Sequence, residues 1–205
     1  MILTILILIS IEKRKVERKK SPKVFHKTPH HLGVCLVEME TSVDVCVIGS
    51  GLAGLVAATA AAKEGSKVLL LEKEAKFGGN SSKATSGING CGTRLQKDRG
   101  IPDSSQMFAN DIIESGRGSC DSQLVDTLVR NGSEAIEFLE SLGCHFDALH
   151  QCGGHSLPRT HGFAPKPDGS PVPVGWTIIQ ACLRYCASTY PERIILKPNC
   201  RVTSL

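Results

Sequence analysis

Three glycines and one acid define the chemistry this chain is equipped for. Gly49, Ser50, Gly51, Leu52, Ala53 and Gly54 form a G-x-G-x-x-G cluster, and Glu72 follows 18 residues after its last glycine. The first glycine permits a tight turn. The second lets the backbone approach a pyrophosphate, and the third lets a helix pack closely on a strand. The N–H groups at the start of such a helix, with the positive end of its dipole, hold phosphate oxygens. A carboxylate at Glu72 accepts both hydroxyls of a ribose and repels a 2′-phosphate. A second run, GGNSSKATSGING over residues 78–90, adds donors from Asn80, Ser81, Ser82, Thr85 and Ser86. Gly79 and Gly87 in that run let backbone N–H groups come close to a ligand.

For these residues to meet one ligand, the cluster has to lie between a strand and a helix. VDVCVI, residues 43–48, is a nearly continuous apolar run and reads as a strand of a buried parallel sheet. The Ala-rich stretch from Leu52 that stops at Gly65 reads as a helix with a glycine end. KVLLLEK reads as a second buried strand ending on Glu72, which completes a βαβ unit. Residues 78–92 are expected to be a long functional loop with one helical turn inside. Helical spacing recurs over Ser104–Ser115 and in a further pair of helices between Asp121 and Leu142. Residues 143–175 read as irregular, Trp176–Ala187 as a helix, and IILKP and CRVTSL as two short strands. The expected fold class is therefore α/β, a Rossmann-like nucleotide-binding domain, incomplete, with the start of a helical capping region.

Composition narrows the function classes. The formal charge is +4, but eight Lys/Arg against Glu12 and Glu17 between residues 12 and 31 place +6 in the leader, so the chain from residue 32 onward sums to −2. Such a body is not a nucleic-acid binder. Residues 1–40 are expected to be a disordered leader and 41–205 the nucleotide-binding domain. The apolar start MILTILILI is too short for a membrane span of roughly 17 to 25 residues and supports at most a weak N-terminal membrane association. Nine cysteines without a CxxC pair read as thiols of a reducing compartment, the cytoplasm or an organellar matrix. His145, His150, His155 and His161 fall close together without carboxylates or cysteines at ligand spacing, so no metal site is expected. His161 is either a group that approaches a ligand or a loop histidine held by backbone.

The combination of VDVCVIGSGLAGLVAA, LLLEK and GGNSSKATSGING resembles the flavoprotein family of soluble fumarate reductases, succinate dehydrogenase flavoprotein subunits, L-aspartate oxidases and ketosteroid dehydrogenases. With GGHSLPRTH, the similarity is greatest to soluble fumarate reductases of yeast and protist type. The resemblance implies FAD as cofactor, with Gly49, Ser50, Gly51, Ala53 and Gly54 at the pyrophosphate and Glu72 on the adenosine ribose beside Lys73. It implies that Gly79, Asn80, Ser81, Thr85, Ser86 and Gly87 wrap the pyrophosphate and flavin, and that Val202 lies near the adenine. Membrane-bound relatives attach FAD through a histidine that the S-G-I-N ending aligns with Asn80. An amide cannot form that bond, so FAD is expected to be non-covalent.

The same resemblance implies a small dicarboxylate substrate and an electron donor. It places the substrate cations, the proton-delivering arginine and an A-T-G-G strand beyond Leu205, so the catalytic residues are unknown. Two readings stay open: part of an oxidoreductase of fumarate reductase type, or a non-catalytic flavoprotein that only binds nucleotide or a partner. Made alone, a chain with half a sheet is expected neither to fold cooperatively nor to turn over fumarate.

Overall fold

The computed structural model describes residues 42–204, so the expected leader lies outside the described residues. Strand β1 (Val45–Ile48) leads through the glycine turn into helix α1 (Leu52–Lys63), which returns to β2 (Val68–Leu71). β1 pairs parallel with β2 in the register Val45 to Val68 through Ile48 to Leu71, and β2 pairs parallel with β6 (Ile194–Lys197). The sheet order β1-β2-β6 puts β2 in the centre, and its Val68 and Leu70 are fully buried. β1 is instead an edge strand among the described residues. Its burial alternates, and Ile48 is 53% exposed, although its sequence reads as buried on both faces. Pattern alone gives apolar character, whereas the number of pairing partners decides burial.

Helix α1 packs Leu52, Leu55, Ala58, Ala61 and Ala62 onto the sheet. Helix α5 (Val174–Thr189) joins the same core through Val174, Ile178, Ile179, Ala181, Cys182 and Cys186. The Thr59 hydroxyl, buried in α1, donates to the Leu55 carbonyl at 2.8 Å and meets Cys186 Sγ at 3.3 Å, tying the two helices together. A buried Leu contributes about 1.5–3 kcal/mol, so Leu55 and Leu70 are principal supports of the glycine turn.

The glycine-rich segment contains a 3₁₀ turn (Gly79–Lys83), as expected, followed by the two-residue strand β3 (Ile88–Asn89). β3 pairs antiparallel with β5 (Thr160–Gly162), which pairs antiparallel with β4 (Ala148–His150). Residues 143–175, expected to be irregular, thus supply two strands of a second sheet. Helices α2 (Arg94–Asp98), α3 (Ser105–Gly116) and α4 (Ser122–Ser141) lie between β3 and β4 in the chain, and α3 packs on α4. The helix pair expected between Asp121 and Leu142 is the single helix α4. Gly132 does not break it, because there the helix backs onto Gly90, whose own Cβ would meet the Gly132 carbonyl at 3.2 Å. The strand expected in CRVTSL does not form among its described residues. Asn199 turns at φ 59°, and Cys200 N–H donates to the Glu72 carbonyl at 2.8 Å, which steers the chain across the end of β2.

Candidate functional site

The turn between β1 and α1 carries the strictest backbone demands in the chain. Gly49 has φ +96° and open space where a side chain would be. A Cβ on Gly54 would lie 1.9 Å from the Gly49 carbonyl oxygen, so only glycine lets the helix start this close to the strand. Helix α1 has Gly51 at its N-cap and therefore no side-chain cap of its own. Ser81 supplies one from the neighbouring loop, its hydroxyl accepting from Leu52 N–H at 3.1 Å. Its hydroxyl proton remains available to a ligand. Ala53 is exposed at the same helix start.

Glu72 is 5% exposed, just past β2. Its Oε2 accepts from Ser50 N–H at 3.0 Å and from the Ser50 hydroxyl at 2.5 Å, and its Oε1 accepts from Glu74 N–H at 3.0 Å. Burial alone would raise the carboxyl pKa. Bonds from the Ser50 hydroxyl and from the N–H groups of Glu74 and Ser50, with a smaller pull from the neighbouring Lys73 N–H dipole, outweigh it, so the group is held below its ordinary value and ionised. The Ser50 hydroxyl also accepts from Gly78 N–H at 3.0 Å, which anchors the glycine-rich loop to the turn. Ser50 is thus wholly buried and its donors are spent on Glu72. Lys73 is exposed and pairs with Glu74 at 3.7 Å.

Backbone bonds tie the approach to Val202 to this centre. Asn199 N–H donates to the Glu74 carbonyl at 3.1 Å, so the segment leading to Val202 lies along residues 72–74. Gly79 takes φ +50° with open space beside it, and Asn80 is exposed, its side-chain oxygen accepting from Lys83 at 3.2 Å. Thr85 and Ser86 are exposed, with no structural partner that fixes their role. Gly87 has φ +141° and its Cβ would sit 2.3 Å from the His161 carbonyl oxygen, which pins the end of the loop against β5. Gly175 at the start of α5 donates to the Ala84 carbonyl at 2.8 Å and has no room for a side chain beside Ser81.

A second polar cluster lies under the other sheet. Arg159 is fully buried; its Nε and Nη2 donate to Asp103 at 2.9 and 2.8 Å, and its Nη1 donates to Asp111. Nη1 also meets His155 Nδ1 at 3.1 Å, and the guanidinium carbon lies 4.8 Å from the Phe108 ring centre. Burial would raise the pKa of Asp111, but bonds from Ser156 and Arg159 bring it down to about 2. His161 is fully buried too. Its Nδ1–H donates to the Arg159 carbonyl at 3.0 Å, so its Nε2 accepts from the Thr93 hydroxyl at 2.8 Å. Burial pushes its pKa down to about 4, which keeps it neutral. Of the two readings of His161, the structure supports the histidine held in place, not one that approaches a ligand.

A polar cavity of about 620 Å³ opens beside this cluster, lined by Asp111, Glu114, Arg117, Gly154, His155 and Ser156, away from the glycine turn. Among the described residues no His/Cys/Asp/Glu group could hold a metal ion, and no helix is long and apolar enough to cross a membrane.

The comparisons with known proteins fall on the same geometry. A family model described as "FAD binding domain" matches residues 44–205. The fumarate reductase of Schizosaccharomyces pombe is 42% identical over 160 residues, covering 78% of this chain and 31% of the relative. Fumarate reductase 1 of Saccharomyces cerevisiae is 39% identical over 166 residues, covering 78% of this chain and 34% of the relative. The chain thus spans about a third of the length of either fungal protein. Among solved structures, the open conformation of a flavocytochrome c3 fumarate reductase superposes with a TM-score of 0.75 at 32% identity, over 82% of this chain and 28% of that one.

Proposed function

We propose a function from one premise: the chain belongs to the FAD binding domain family, and FAD is its cofactor. The glycine turn and Glu72 hold the adenosine diphosphate half of FAD, and the loop from Gly79 to Gly87 borders the rest. The described residues fit that group. The start of α1 lacks a side-chain cap of its own, open space adjoins Gly49 and Gly79, and the Glu72 carboxylate keeps an acceptor site on Oε1. The Ser81 hydroxyl proton and the first-turn N–H groups of α1 beyond that of Leu52 offer phosphate oxygens donors at the positive end of the helix dipole. The cofactor is bound non-covalently, because an amide stands at Asn80. FAD, once bound, supplies hydride chemistry.

Both fungal relatives carry the name fumarate reductase, and this supports a whole protein that reduces fumarate or a related dicarboxylate alkene with electrons from a separate donor. Eight free cysteines among the described residues, four of them buried, suit the reducing interior of the cytoplasm or an organellar matrix. The observation that carries the reading is the glycine turn at the start of α1, tied through Ser50 to an ionised, buried Glu72. The intact protein should purify yellow, release its flavin into the supernatant on acid precipitation, and reoxidise a reduced dye anaerobically only when fumarate is added. Flavin retained in the pellet would rule out the non-covalent link, and absence of flavin would rule out the function.

A further inference from the structure

The hydrogen bonds already made by the Glu72 carboxylate limit what it can offer a ribose. A carboxylate offers about four acceptor sites, two on each oxygen. Both sites of Oε2 are filled by Ser50, through its N–H at 3.0 Å and its hydroxyl at 2.5 Å. One site of Oε1 is filled by Glu74 N–H at 3.0 Å, which leaves a single site. The sequence reading, in which the acid takes both ribose hydroxyls, asks for one more than remains.

Resting on the FAD reading above, we propose that Ser50 is a positioning residue. Its buried hydroxyl turns Glu72 so that Oε1 alone accepts a single hydroxyl of the adenosine ribose. Three features give Ser50 this role. It is 0% exposed, so its hydroxyl has no water to exchange with. It donates to Glu72 while accepting from Gly78 N–H at 3.0 Å, so the hydroxyl cannot rotate away without leaving a buried N–H unpaired. Its own N–H holds the same oxygen from the backbone, so the carboxylate is gripped by two donors of one residue. Without the hydroxyl, Oε2 regains an acceptor site and the carboxylate can rotate. Either of its oxygens can then serve either ribose hydroxyl.

The experiment compares ADP, 2′-deoxy-ADP and 3′-deoxy-ADP by calorimetric titration of the intact protein stripped of flavin. In the wild type, one deoxy nucleotide should bind about tenfold more weakly than ADP, while the other stays within twofold, as expected for loss of one charge-assisted bond. In Ser50→Ala, and in Ser50→Gly should the alanine variant fail to fold, the two deoxy nucleotides should become equal to within twofold. Ser50→Thr, which keeps the hydroxyl, should restore the difference. A purely structural Ser50 would weaken all three nucleotides alike and preserve the difference, which would overturn the proposal. Equal losses for both deoxy nucleotides in the wild type would also overturn it while leaving the FAD reading intact. A wild type that binds FAD and ADP not at all would overturn both.

Discussion

The Glu72 centre and the Arg159 cluster are both buried and both charged, yet they spend their hydrogen-bonding capacity differently. Around Glu72, one carboxylate meets three donors from Ser50 and Glu74, and an acceptor site stays unfilled beside a helix start that lacks its own cap. Around Arg159, each guanidinium nitrogen has a partner among Asp103, Asp111 and His155, and the group packs against Phe108. A perturbed protonation state therefore does not by itself mark a site. What distinguishes the two is the unspent hydrogen-bonding capacity: the first centre should carry affinity and the second stability.

The largest effect should come from the Arg159 cluster. Arg159→Leu strands Asp103 and Asp111 and should cost about 3–5 kcal/mol of stability by chemical denaturation. The FAD affinity of the folded protein should change less than twofold. A large affinity loss without destabilisation would reverse the assignment of the two regions. The next effect is one of pH. His161 has its folded pKa lowered to about 4 from an ordinary 6.5, so on acidification the unfolded chain takes up a proton that the folded one refuses. Its contribution is complete above about pH 6.5 and is lost progressively down to about pH 4, a total of about 3 kcal/mol. Urea melts of wild type and His161→Gln between pH 7 and pH 4 should show a shallower decline in the variant.

A smaller change in stability, coupled to binding, is expected at the turn. Gly54→Ala places a methyl group against the Gly49 carbonyl and should cost about 1–3 kcal/mol. Unlike Arg159→Leu, it should also weaken FAD binding at least tenfold, because the pyrophosphate turn itself must move. Equal FAD affinity in Gly54→Ala and wild type, measured by flavin fluorescence titration, would place the cofactor elsewhere.

The glycine turn and Glu72 are more legible in the sequence than the Arg159 cluster, for a physical reason. Gly49, Gly51, Gly54 and Glu72 belong to one βαβ unit whose turn, helix and strands are set by near neighbours. Arg159 finds Asp103 and Asp111 across 56 and 48 residues, and no local pattern announces such a pairing. Strands β4 and β5 are three residues each, too short for alternation to register, and are held by pairing with each other and of β5 with β3. Helix α2 is short enough to escape periodicity, although its start is written in the sequence. Thr93 accepts from Gln96 N–H at 3.3 Å and Gln96 Oε1 accepts from Thr93 N–H at 3.4 Å, a reciprocal cap that the Thr-x-x-Gln spacing signals. In the sequence, Ser50 reads as one of the phosphate-binding residues because its neighbours are glycines. Only the fold shows its side chain turned inward to the acid.

The central claim is that the glycine turn and Glu72 form the adenosine side of an FAD site, and titration of flavin-free intact protein with FAD tests it most directly. Glu72→Ala should raise the Kd roughly ten- to a hundredfold, the equivalent of ~1.5–3 kcal/mol for a charge-assisted bond to the ribose. An unchanged Kd in Glu72→Ala, with wild type binding FAD normally, would contradict it.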